Sequence, residues 1–281
     1  MPDTRFHFHG HATALSGRIV RVGEGKSAKF VKNAFIDLPA AALQPSGGRS
    51  TAKLSKRQLT NPVIKSFVRF DSATVTSEGV YDDAKGHFEA TLGKRPARSL
   101  EPRTSVRAEV RGLDIGMKNE VHLIVRRVRG GFSSKKGVEA GETAIELTPD
   151  TGFDANSVRF VGADGKSYTL TVEVDREVFH KHHTLTALRA VPAAAAFARA
   201  TDGTLHTTIV KPVAWKGREF PGSTIVGPGE LSIPGFGRVY FGEMAMSPTS
   251  RRLTMVRVNL GSPVGGDVAA ADVMDNGSWS G

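Results

Sequence analysis

Four stretches of the chain alternate apolar and polar residues with a period of two: VRAEVRGL (106–113), EVHLIVRRV (120–128), SYTLTVEV (167–174) and RLTMVRVNL (252–260). Successive side chains of an extended strand point to opposite sides, so each stretch offers one apolar and one polar face. Such segments are stable only when the apolar face is covered by another layer, which confines the chain to stacked or closed sheets.

Turn residues punctuate the pattern. DDAKG (82–86), GADGKS (162–167), ATDGT (200–204) and SPTS (247–250) each separate two apolar runs and predict a β-hairpin. Helical candidates are few. PAAALQP (39–45) is short and ends in proline, VEAGETAIEL (138–147) contains a glycine, and DREVFHKHHTLTAL (175–188) begins with an aspartate able to cap. AVPAAAAFARA (190–200) has helix propensity but adjoins a hairpin signal. The expected fold is therefore all-β, an antiparallel β-sandwich of jelly-roll or immunoglobulin-like layout, with at most two or three short helices.

GGFSSKKGVEAGET (130–143) interrupts the alternation with glycine, serine and lysine. It suggests a division into a basic β-rich domain or half over 1–135 and a second over 136–281 ending in a glycine-rich C-terminal tail, VGGDVAAADVMDNGSWSG. A single large β domain with a long loop is the alternative. The tail reads as a frayed terminus or as a segment that docks through Trp279.

Charge divides at nearly the same place. Residues 1–140 hold 25 Lys and Arg against 13 Asp and Glu, whereas residues 141–281 hold 13 against 15, within a net charge of +10. That asymmetry points to an anionic partner for the first half, or to self-association of basic and acidic faces into a homo-oligomer. The basic runs supply candidate anion-binding residues: Lys53, Lys56 and Arg57 in AKLSKR, Lys94 and Arg95 in GKRPAR, and Arg126, Arg127 and Arg129 in RRVRG. Nucleic acid is one such polymer, bound without sequence preference. Tyr and Trp total five, too few for a base-stacking platform, and the sequence contains no helix-turn-helix or zinc-finger pattern.

The one chemical signature is RFHFHGHA (5–12). On a strand, His7, His9 and His11 share a face with Phe6 and Phe8 behind them, and neighbouring imidazoles at this spacing can converge on one ion. EVFHKHH (177–183) could complete such a site with Glu177 or His180. The reading is a zinc- or iron-dependent hydrolase or oxygenase. The alternative is the wet side of an edge strand. The chain has no cysteine, which removes disulfides and thiolate ligands. GEGKS (23–27) resembles a phosphate-binding loop but has Val20 where the pattern needs glycine. GFGRVYFG (235–242) is followed by strand pattern rather than helix, and no nucleophile elbow is present.

With no convergent catalytic set, the sequence favours a non-enzymatic binding or self-assembly protein without a cofactor. No apolar run reaches the roughly 20 residues of a membrane span and no secretory signal is visible, so a cytoplasmic location is expected.

Overall fold

The computed structural model describes residues 6–21, 32–58, 61–81, 101–116, 120–136, 143–191, 198–199, 203–261 and 264–279. Its strands are β1 (Phe6–His7), β2 (Gly10–Arg21), β3 (Lys32–Ala42), β4 (Gly48–Ser55), β5 (Val68–Arg69), β6 (Ser72–Tyr81), β7 (Pro102–Ile115), β8 (His122–Lys136), β9 (Thr143–Leu147), β10 (Gly152–Phe153), β11 (Ser157–Val161), β12 (Ser167–Thr171), β13 (Ala198–Arg199), β14 (Leu205–Thr208), β15 (Ala214–Lys216), β16 (Thr224–Gly227), β17 (Glu230–Ile233), β18 (Gly237–Met246), β19 (Arg251–Leu260), β20 (Val264–Asp275) and β21 (Ser278–Trp279).

They form two large antiparallel sheets, so the fold is all-β. One sheet has ten strands, ordered β15-β12-β11-β8-β7-β6-β4, with β5 on β7 and with β9 and β10 on β8. The other has nine, ordered β13-β14-β18-β19-β20-β2-β3, with β16 and β17 continuing from β18. β1 and β21 pair separately. The alternation foreseen from the sequence is realised: in β7, Val106, Ala108 and Val110 are buried while Arg107 and Arg111 are exposed. The inward faces meet where β2 crosses β6 and β7, and β20 crosses β7 and β8. Buried side chains from Ala12 to Val273 make one apolar cluster, to which residues on both sides of position 135 contribute.

Among the described residues, three α-helices, each of one to two turns, occupy Pro62–Phe67, Arg176–Lys181 and Leu185–Arg189. DREVFHKHHTLTAL supplies the last two. Asp175 accepts from the amide of Val178 at 3.4 Å and Thr184 from that of Ala187 at 3.2 Å, capping each. Two other candidates differ from expectation, because sheet pairing outweighs weak local helix propensity: residues 39–42 of PAAALQP lie in β3, and 143–147 of VEAGETAIEL form β9, while residues 192–197 of AVPAAAAFARA lie outside the described residues.

A crease runs across the nine-stranded sheet. The ladders skip a pair at one level in four neighbouring ladders, where Gly242 meets Met255, Met255 meets Ala271, Ala271 meets Ala14, and Ala14 meets Pro39. Gly242 and Ala271 have φ of 62° and 52°, and Pro39 has no N–H to donate. Each strand changes face there, so Met255 and Val256 are both buried, as are Ala270 and Ala271. Breaks of this kind let a long strand bend and keep its apolar side inward on both arms.

The crease bears on two departures from the sequence reading. Gly130 lies against it: a Cβ there would stand 2.7 Å from both the Ala271 oxygen and Met255 Cγ. Residues 130–136 are therefore no loop but the second half of β8, with glycine where two backbones nearly touch. Of the small residues in the supposed tail, Ala271 lies in the crease, whereas a Cβ at Gly266 would meet the backbone oxygen of Arg18 in β2. VGGDVAAADVMD is β20, inserted between β19 and β2, and Trp279 packs 5.2 Å from Phe6.

Candidate anion-binding face

The ladders joining β4, β6, β7 and β8 align their outward residues in rows. Lys53, Thr74, Glu109 and Arg129 form one row, and Thr51, Thr76, Arg107 and Gly131 the next. Beyond them Arg111 stands opposite Arg127, and Arg103 opposite Lys135. From Arg111 to Arg103 the stripe extends roughly 27 Å, at about 3.4 Å per residue of strand, and is crossed between Arg107 and Arg103 by the row Glu78, Ser105, Ser133 and Glu146.

Acidic groups neutralise part of it. Glu109 accepts from the Nε groups of both Arg111 and Arg129. Burial pushes its carboxyl up, but the hydrogen bonds and charges of the two guanidinium groups outweigh that and hold it below its usual value. Arg129 also lies 3.4 Å from Asp150. Lys53 and Arg107 are different: both are exposed, and neither makes a hydrogen bond or ion pair among the described residues. A depression of about 270 Å³ lies between them, lined also by Thr74, Thr76, Arg111 and Arg129 and by the carboxylates of Glu109 and Asp150. A second, of about 530 Å³, opens at the other end of the stripe between Arg103, Lys135, Glu146, Phe179, His180 and His183.

The other basic residues singled out in the sequence take varied places. Lys56 lies 3.6 Å from Asp71. Arg57 belongs to a short 3₁₀ turn, Lys56–Gln58, and Lys94 and Arg95 fall outside the described residues, as does GEGKS. Arg126 bonds Asp154, and Arg127 lies 4.0 Å from the same carboxylate.

The histidines are spread over separate elements. His7 ends β1, His9 lies between ladders, and His11 is in β2, with Phe6, Phe8, Gly10 and Ala12 buried behind them. His7 and His9 are exposed, and His11 Nδ1 is 3.4 Å from Thr13 Oγ1. Glu177 is ion-paired with Lys181 at 2.6 Å on the helix that carries His180, and this bond lowers its carboxyl pKa. Among the described residues no group of three or more His, Asp and Glu side chains is placed to hold a metal ion.

Arg103, Arg107, Arg111 and Lys135 were not singled out from the sequence. The signal was present in the alternation of 106–113, which places Arg107, Glu109 and Arg111 on one face, but only ladder register shows that this face adjoins Arg127 and Arg129. A constellation on the same sheet was also missed. Asp114 accepts from Arg69 Nε and Nη2 at 3.0 and 2.8 Å, and its other oxygen lies 2.8 Å from His122 Nδ1. It ties β5 to β7 beside the start of β8. No helix among the described residues is long and apolar enough to cross a membrane. Comparison with protein-family models, with curated proteins and with solved structures gave no match.

Proposed function

We propose that this is a non-enzymatic binding protein that holds an extended anionic polymer against the open face of its ten-stranded sheet. The observation that carries the reading is the pair Lys53 and Arg107, exposed and without a partner among the described residues, in line with Arg103, Arg111 and Arg129. A strand ladder fixes these cations at regular spacing, which suits a repeating charge rather than a compact ligand. The hydroxyls of Thr51, Thr74 and Thr76 lie between them and can donate to anionic oxygens. No aromatic residue shares these rows, so recognition is directed at the charged backbone and is independent of sequence.

Fluorescence anisotropy with labelled polyphosphate, over a sodium chloride series, tests this. The logarithm of the binding constant should fall linearly with the logarithm of salt, and Arg107→Glu should weaken binding and flatten that slope. No binding at low salt would sink the proposal. Binding unchanged in Arg107→Glu would sink the assignment to this face.

A further inference from the structure

We propose that Arg251 and Lys136, at the end of the sandwich closed by β1 and β21, form a buried site for one small singly charged anion, a halide or a carboxylate. This is independent of the open face. Arg251 is 2% exposed, Lys136 9% and Asp275 0%. Arg251 and Asp275 are register partners in β19 and β20, while Lys136 ends β8 in the opposite sheet with its ammonium 5.4 Å from the Phe6 ring centre. Two cations thus share one carboxylate.

That carboxylate is already engaged by neutral donors. Ser134 Oγ donates to Asp275 Oδ2 at 2.6 Å, and the Gly277 amide to Oδ1 at 3.1 Å. Among the described residues the Arg251 side chain makes one hydrogen bond, from Nη2 to the Pro248 oxygen at 3.1 Å, and its Nε and Nη1 are buried without a partner. Trp279 Nε1 is buried and unpartnered too, on a ring stacked edge-on against Phe6. The fourth orphan is the Asn276 oxygen, on an amide that can turn over to present its nitrogen. Among the described residues, one excess positive charge and a surplus of donors therefore occur together in a place shut off from water. Water would satisfy the donors and leave the charge; a singly charged anion satisfies both, and a doubly charged one would reverse the imbalance.

The ammonium of Lys136 supplies a second readout. Burial pushes its pKa down to about 8, Asp275 counters this and Arg251 adds to it. A folded-state value below the usual 10.5 means that the cost of burying the charge is full below about 8 and disappears as pH rises to about 10.5. Stability of the anion-free protein should rise across that window, and a bound anion should flatten the rise.

Thermal unfolding at fixed ionic strength tests the site, with sodium gluconate, whose anion is too bulky to be buried there, replaced stepwise by sodium chloride or sodium formate. The midpoint should climb and level off as the site fills, with the two salts separating halide from carboxylate. Arg251→Met and Lys136→Met should each weaken the apparent dissociation constant at least tenfold. Equal midpoints in all three salts, or a climb undiminished in the variants, would overturn the assignment. Should Arg251→Met fail to fold, Lys136→Met decides, and crystals of the unaltered protein grown in sodium bromide give a direct check. Anomalous density between Arg251 and Lys136 would support the site, and none there would overturn it.

Discussion

On the outer face of the nine-stranded sheet, Arg252 donates to Asp272 at 2.9 and 2.6 Å, and Arg257 donates to Glu243 at 2.5 and 2.6 Å while lying 4.0 Å over the Tyr240 ring. On the ten-stranded sheet, Arg107 faces Thr76 and Gly131, neither of them charged. Both strands read as arginine alternating with apolar residues. What separates the two faces is the side chain across the ladder: a diagonal carboxylate closes an arginine into a fork, whereas a threonine leaves it open to a ligand.

The contrast can be broken from either side. The largest effect is expected for Lys53→Glu combined with Arg107→Glu, which should lower polyphosphate affinity at least about tenfold beyond Arg107→Glu alone in anisotropy titrations. Its unfolding free energy should stay within about 0.5 kcal/mol of the parent, because both side chains are exposed. Next comes the opposite manipulation. Asp272→Asn with Glu243→Gln should free Arg252 and Arg257, cost about 1 to 2 kcal/mol in urea unfolding, and add a second polyphosphate site detectable as doubled stoichiometry in calorimetry. Glu109→Gln should release Arg111, leave Arg129 on Asp150, and strengthen binding about two- to fivefold, as gain of one net charge implies. Acid should mimic it more weakly. The Glu109 carboxyl lies below its ordinary 4.5, so its stabilising ion pairs are complete above that value and are lost as pH falls through the lowered one. Tighter binding at that end of a pH series is the expected sign. Smallest of all, Arg126→Ala should leave affinity unchanged and stability within about 0.5 kcal/mol, since its 82% exposed side chain is already paired with Asp154.

Much of the architecture was legible in the chain. The alternating stretches are β7, β8, β12 and β19, the turns GADGKS and SPTS join β11 to β12 and β18 to β19, and β13 pairs with β14 on either side of ATDGT, of which residues 200–202 lie outside the described residues. DDAKG lies outside the described residues. What escaped was structure imposed from a distance. Gly130 resembles a linker residue because local propensity cannot report that Ala271 will press against it. The face escaped differently: Arg129 was singled out, but its neighbour Arg107 was not, because register between strands is a property of pairs. His7, His9 and His11 were singled out for their spacing, and the buried positions of Phe6 and Phe8 account for that alternation without reference to an ion.

The place of β20 bears on how the polypeptide is made. β2 and β3 leave the ribosome early, yet the edge of β2 that faces the middle of the sheet finds its partner only in residues 264–275. At about 5–20 residues per second, that edge waits roughly 12 to 50 seconds with its amides and carbonyls unpaired. During synthesis the hazard is a foreign strand taking the place reserved for β20. The strand that seals the sheet is thus made long after the edge it covers.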